Sequence, residues 1–336
     1  MPGGDWYISC MSEEESGQDI ALIGLGGAGI KTMLALRALI ENEELSGRGS
    51  RGNSCRLLAI DSNYLAQDYF RSLDDRDHED LLLAQNEYLG LLRNGENPWD
   101  KVTTDAKSNI PEAVKLYSQR RAIEINRSPD RSDYEAMIYV SRERMKQGVR
   151  DFLKNSEKSN KQSANPITLM IATSLFGDTG SLSYLALLEI LTELSEEIRC
   201  ESINAVLFGP DVYVRFFQQQ TFHTAKYLGV VNSISNFCFK EGPEQIAPNQ
   251  HLISLYPGTS MHLFPRFTMF TETAKKLYNL IYEESLSENM FQNDGGDSII
   301  EMVPLDLEKC LEIKSSFVDR LRADRHFSQL VREYFD

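Results

Sequence analysis

Ile20-Ala-Leu-Ile-Gly24-Leu-Gly26-Gly27-Ala28-Gly29-Ile30 is the stretch on which the fold turns. Four apolar residues, 20–23, have the continuous character of a strand buried on both faces. A glycine turn of the form GxGxxG follows at once, and a helix-length stretch runs on from Ile30 to Ile40. Strand, glycine turn and helix together give the motif physical meaning. Glycines let the backbone come close to a phosphate, and the free N–H groups and dipole of a helix N-terminus favour an anion. Gly24, Gly26, Gly27 and Ala28 are therefore candidate phosphate-binding positions. A tight strand-to-helix turn without a ligand would use the same glycines. No GxxxxGK[ST] occurs, so a P-loop is not supported.

The same grammar repeats along the chain. Leu57–Ile60, Ile167–Ala172 and Ile203–Phe208 read as further buried strands, followed by helical stretches at Asn63–Arg71, Ser183–Ile198 and Phe216–Ile234. Strands without polar alternation, separated by helices, predict a doubly wound, mostly parallel α/β sheet covered on both faces. An amphipathic helix is expected over Tyr134–Leu153 and a solvated loop over Asn155–Asn165; the charge run Arg142–Lys146 reads as a solvated face. Beyond Lys240 the pattern weakens. A helix is expected over Glu272–Glu288, a turn-rich loop over Asn289–Asp297 and a helical end over Glu308–Phe335. The expected organisation is an N-terminal extension (1–18), a nucleotide-binding domain (19–270), a central helix with its loop (271–298) and a short C-terminal segment (299–336).

Composition removes several function classes. The chain has 336 residues, 41% of them hydrophobic, yet no run approaches the ~18 apolar residues of a membrane helix. The N-terminus lacks the basic start and apolar stretch of a secretory signal, so a cytoplasmic location is expected. Five dispersed cysteines without CxxC spacing argue against a disulfide framework or a zinc ribbon. The five histidines show no metal-ligand spacing either. A net charge of −15 opposes binding to phosphate backbones, so nucleic acid is not an expected partner, and without an apolar run of membrane length neither is a membrane.

A second glycine turn follows the strand at 167–172: Ser174-Leu-Phe-Gly177-Asp178-Thr179-Gly180-Ser181. Its hydroxyls and backbone N–H groups suit phosphate oxygens, and an ordinary helix cap would look the same. Two such turns at the carboxyl ends of different parallel strands carry more weight than one, because ligands of open α/β sheets sit there. After the strand at 57–60 comes Asp61-Ser62-Asn63. An acid there suits a ribose hydroxyl in a dinucleotide enzyme, but Asp61 lies farther from the glycine turn than the usual ~20 residues.

Taken together, the three segments resemble the tubulin and FtsZ superfamily, particularly its divergent bacterial tubulin-like branch. Ile23–Gly29 resembles the first phosphate loop of FtsZ. Ala59-Ile-Asp-Ser-Asn-Tyr-Leu-Ala66 resembles the V-N-T-D-A-Q-A-L type of segment, and Phe176–Leu182 falls where the family carries GGGTG[ST]G. Order and spacing match as well.

The resemblance implies a GTP-binding protein that hydrolyses GTP to GDP with Mg²⁺ at a subunit interface, self-associating head to tail into filaments. It implies phosphate contact by Gly26, Gly27, Ala28, Thr179, Gly180 and Ser181, with Asp61 and Asn63 nearby and Gly24, Gly177 and Asp178 in the same turns. The region around Asn126-Arg127-Ser128 would face the terminal phosphate. Asp294 and Asp297 match the family's D-x-x-D and would polarise the hydrolytic water. It further implies a C-terminal domain reduced or absent here. Phe176, Asp178 and Leu182 stand where the family has glycine. That leaves open a tubulin-like scaffold that binds a partner protein without turnover. A nicotinamide-dependent oxidoreductase is the third reading.

Overall fold

The computed structural model describes residues 19–45, 54–62, 83–92, 131–159, 167–175, 177–198, 200–209, 229, 231, 233–235, 248–255, 266–282, 300–306 and 308–312. Strand β1 (Asp19–Leu25) leads into helix α1 (Gly26–Leu45), then β2 (Ser54–Asp61) and a three-residue β3 (Tyr88–Gly90). Helix α2 (Arg131–Ser159) precedes β4 (Ile167–Ser174), α3 (Asp178–Leu194) and β5 (Cys200–Phe208). Then come β6 (Asn249–Leu255), α4 (Arg266–Tyr282) and β7 (Ile300–Pro304).

The strands form one seven-stranded sheet in the order β3-β2-β1-β4-β5-β6-β7. Every neighbouring pair is parallel except β6 with β7. This is the expected doubly wound, mostly parallel architecture. Side chains alternate between two faces that helices cover, so the central strands β1, β4 and β5 carry apolar residues on both. Ile20 and Leu22 of β1, Met170 and Ala172 of β4, and Val206 and Phe208 of β5 face α1 and α4. Ala21, Ile23 and Leu25, Leu169 and Ile171, and Ala205 and Leu207 face α2 and α3. On the first face Phe208 meets Phe270 of α4 edge-on, with ring centroids 5.9 Å apart.

Several local expectations shift. Helix α3 begins at Asp178 rather than Ser183, and α1 at Gly26 rather than Ile30, so each glycine turn is already the first turn of its helix. Helix α2 continues to Ser159, through the start of the stretch read as loop. Helix α4 begins at Arg266, before Glu272. Strands β3, β6 and β7 were not expected.

The charge run at Arg142–Lys146 is not simply a solvated face. Met145 within it is fully buried, and Arg144 donates to the Leu91 carbonyl at 2.8 Å. Arg142 and Lys146 clasp Glu193 of α3 at 2.6 and 2.7 Å, and Arg150 and Lys154 reach Glu197 at 3.2 and 2.7 Å. Hydrogen bonds from Arg142 and then Lys146 hold the Glu193 carboxyl down at about 2. The ladder fastens α2 to α3.

Candidate functional site

Helix α1 carries the chain from β1 across one face to β2, whereas α3 carries it from β4 across the other face to β5. Between the neighbouring strands β1 and β4 the winding therefore reverses. The carboxyl ends of these strands border the crevice where open α/β sheets take their ligands. Both glycine turns lie at that crevice, because each directly follows one of the two strands.

They touch. Gly26 has φ +64°, the left-handed region in which a side chain is strained. A β-carbon on it would come within 3.1 Å of the Gly180 nitrogen and 3.9 Å of the Thr179 β-carbon. A β-carbon on Gly180 would in turn lie 2.7 Å from the Thr173 hydroxyl oxygen and 3.1 Å from the Leu25 carbonyl. One on Gly29 would collide with the Ala172 carbonyl, so α1 starts hard against the β4 backbone. Gly24 is buried near the end of β1, beneath the turn, and Gly27 and Ala28 lie half-buried in the first turn of α1. The two turns interlock through backbone, an arrangement only small residues permit.

Helix α3 is capped by Gly177, which has no side chain to bond the first N–H groups. Gly177 is exposed, and the space a side chain there would occupy is open. Its carbonyl accepts from Ser181 at 3.0 Å, so the N–H groups of Asp178, Thr179 and Gly180 precede the first intrahelical bond. Asp178 places a carboxylate in that first turn, where it interacts favourably with the dipole but opposes a second anion. Ser181 is fully buried, and its hydroxyl donates to the Asp178 carbonyl at 3.4 Å.

The third segment joins the other two. Asp61 is the last residue of β2 and is buried. Its Oδ1 accepts the Ser62 N–H at 2.6 Å and the Ser62 hydroxyl at 3.2 Å. Thr179 then donates its hydroxyl to Ser62 Oγ, also at 3.2 Å. Since β1 lies between β2 and β4, this chain of hydroxyls ties the strands on either side of β1 together at its carboxyl end. Ser62 belongs to the quoted segment but was not singled out in the sequence; a hydroxyl beside an acid is too common to mark a site. Thr173 is a second such residue, buried in β4 and donating to the Leu25 carbonyl at 3.5 Å.

Gly24, Gly26, Gly27, Ala28, Asp61, Gly177, Asp178, Thr179, Gly180 and Ser181 are thus gathered at one end of the sheet. Asn63, Asp294, Asp297 and the Asn126–Ser128 region lie outside the described residues. Among the described residues no group of three His, Cys, Asp or Glu side chains could hold a metal ion, and no helix is long and apolar enough to cross a membrane.

No protein-family model matches the sequence, and no curated protein matches it. Solved structures similar to the chain include CetZ from Methanosaeta thermophila strain DSM 6194, at 15% identity and a TM-score of 0.45, covering 82% of this chain and 58% of that one. A GTPγS-form protofilament of Bacillus thuringiensis serovar israelensis TubZ is similar at 12% identity and a TM-score of 0.40, with 84% and 57% covered. CetZ2 from Haloferax volcanii, in a GTPγS-bound protofilament, is similar at 14% identity and a TM-score of 0.39, with 83% and 60% covered. All three are tubulin/FtsZ-family proteins. The chain spans less than two thirds of the length of these solved chains.

Proposed function

We propose that the chain is a divergent tubulin/FtsZ-like protein that binds a nucleotide, GTP or GDP, by its phosphates at the crevice between β1 and β4. The observation that carries this reading is the contact of Gly26 with Gly180. It sets two helix N-termini side by side, so their first-turn N–H groups and positive dipole ends converge on one place. Gly26, Gly27 and Ala28 would supply donors from α1, and Asp178, Thr179 and Gly180 from α3. Guanine, rather than adenine, rests on the resemblance of the three segments to the family.

Hydrolysis is the finer part of the proposal. Asp294 and Asp297 would polarise the attacking water for a neighbouring subunit, giving turnover only on head-to-tail self-association. Mg²⁺ would offset charge on the phosphates and on Asp178. Without turnover, the same site serves a nucleotide-bound or empty scaffold for a partner protein. A dinucleotide oxidoreductase is the second reading, favoured by the position of Asp61 at the end of β2, where an acid can meet a ribose hydroxyl. Against it, Oδ1 of that carboxylate already accepts two bonds from Ser62.

Calorimetric titration with GTP, GDP, ATP and NAD in Mg²⁺, followed by pelleting of the GTP sample, tests these readings. Selective guanine-nucleotide binding is expected, with turnover rising more than linearly in protein concentration and lost in Asp294→Ala and Asp297→Ala. Binding of NAD alone would favour the oxidoreductase. Failure of all four ligands to bind would overturn the nucleotide reading and leave the scaffold.

A further inference from the structure

The direction of the hydrogen bonds between Asp61, Ser62 and Thr179 has a chemical consequence. An ionised carboxylate can only accept, so the Ser62 hydroxyl must spend its single proton on Asp61 Oδ1, 3.2 Å away. The Ser62 N–H at 2.6 Å fixes the same oxygen in place. Ser62 Oγ is then left as an acceptor, and Thr179 spends its own single proton on it. Asp61 thereby orients two hydroxyls in series, each polarising the next.

Thr179 stands at the rim of the cradle, its β-carbon 3.9 Å from the place a side chain on Gly26 would take. With its proton directed at Ser62, its hydroxyl turns only lone pairs elsewhere, and lone pairs repel an anion. We infer that Ser62 competes with the ligand for the Thr179 proton, and that a bound phosphate exchanges this bond, drawing the Thr179 hydroxyl to itself and releasing Ser62 Oγ. The chain Asp61–Ser62–Thr179 thus sets the affinity of the site and reports its occupancy to the end of β2. This rests on the nucleotide reading above. Ser62 acts through Thr179 and is a positioning residue. No covalent step is involved, and the Ser62 hydroxyl keeps its proton, donating it to Asp61 Oδ1 throughout.

Titration of the full chain with GTP in Mg²⁺ tests the exchange in the wild type, Ser62→Ala, Ser62→Thr, Thr179→Ala and the Ser62→Ala/Thr179→Ala double variant. Removing the competing acceptor should tighten binding about three- to tenfold, the worth of one hydrogen bond. Ser62→Thr keeps the acceptor and should bind as the wild type does. In the Thr179→Ala background, Ser62→Ala should change nothing. A purely structural role for Ser62 would instead make Ser62→Ala weaker, and that result, no change, or a gain that persists without the Thr179 hydroxyl overturns the exchange. Should Ser62→Ala fail to fold, Ser62→Cys, with its weak sulfur acceptor, takes its place.

Urea unfolding of the same set without ligand reads the Ser62–Thr179 coupling independently. Coupling together with no nucleotide binding by the wild type would overturn the nucleotide reading and the exchange with it. Binding by the wild type without a gain in Ser62→Ala would overturn the exchange alone.

Discussion

Gly26 and Gly180 meet backbone to backbone, with room for no side chain on either: a β-carbon on Gly26 would reach the Gly180 nitrogen at 3.1 Å, and one on Gly180 the Thr173 hydroxyl at 2.7 Å. Gly26→Ala also forces an L-residue to φ +64°. It should lose about 2 kcal/mol of stability, and Gly180→Ala about 1–3 kcal/mol. Gly177→Ala, whose side chain would enter open space, should stay within about 0.5 kcal/mol of the wild type. Urea unfolding checks all three; equal losses would mean that the turns do not interlock as described.

Arg37 of α1 meets Glu87, just before β3, at 2.6 Å, with side chains only 11% and 20% exposed. The other Glu87 oxygen accepts the Ala84 N–H at 2.8 Å, so one carboxylate serves both partners. Glu87→Ala leaves Arg37 largely buried with its 2.6 Å bond to Glu87 gone. It should cost about 1–3 kcal/mol, and hydrogen exchange at Tyr88–Gly90 should quicken before that of β1.

The ladder between α2 and α3 gives a pH dependence with a defined sign. The Glu193 carboxyl is lowered from 4.5 to about 2, so its contribution is fully present above 4.5 and is lost as pH falls through 2. Its side chain is 40% exposed, and solvent screening limits the contribution to about 1 kcal/mol or less. Glu193→Gln should lower stability at pH 7, by less in high salt, and differ little from the wild type near pH 2.

Burial pushes the Cys200 thiol up to about 11, leaving almost no thiolate at neutral pH. Iodoacetamide at pH 7.5 should modify it far more slowly than it modifies a free cysteine. Mass-spectrometric mapping of alkylated peptides checks this, and rapid labelling of Cys200 would contradict its burial.

The sequence revealed β1, β2, β4 and β5 because each contains a run of consecutive apolar residues buried on both faces, at 20–23, 57–60, 169–172 and 205–208. It hid the remaining strands for separate physical reasons. Tyr88-Leu-Gly90 is too short to show a period. Asn249–Leu255 carries Gln250 and His251, polar side chains that tertiary packing buries all the same. Ile300–Pro304 lies at the sheet's edge, pairs antiparallel and alternates its burial, so it lacks the signature of its neighbours. At the site, glycine spacing gave each turn separately. It could not give the Ser62–Thr179 bond, because nothing local records which hydroxyl a strand end will meet across the sheet.

The cradle is shared between parts of the chain made at different times. The bond from Thr173 to Leu25 spans 148 positions, and that from Thr179 to Ser62 spans 117. On the ribosome, β1 and α1 emerge long before α3, and until then the Gly26 turn has no counterpart. A nucleotide supplied during synthesis could not template the early half, because the place where it would rest does not yet exist. Closing so long an interval also slows assembly. Ligand would favour only the finished fold, drawing completed chains away from the unfolded pool by mass action.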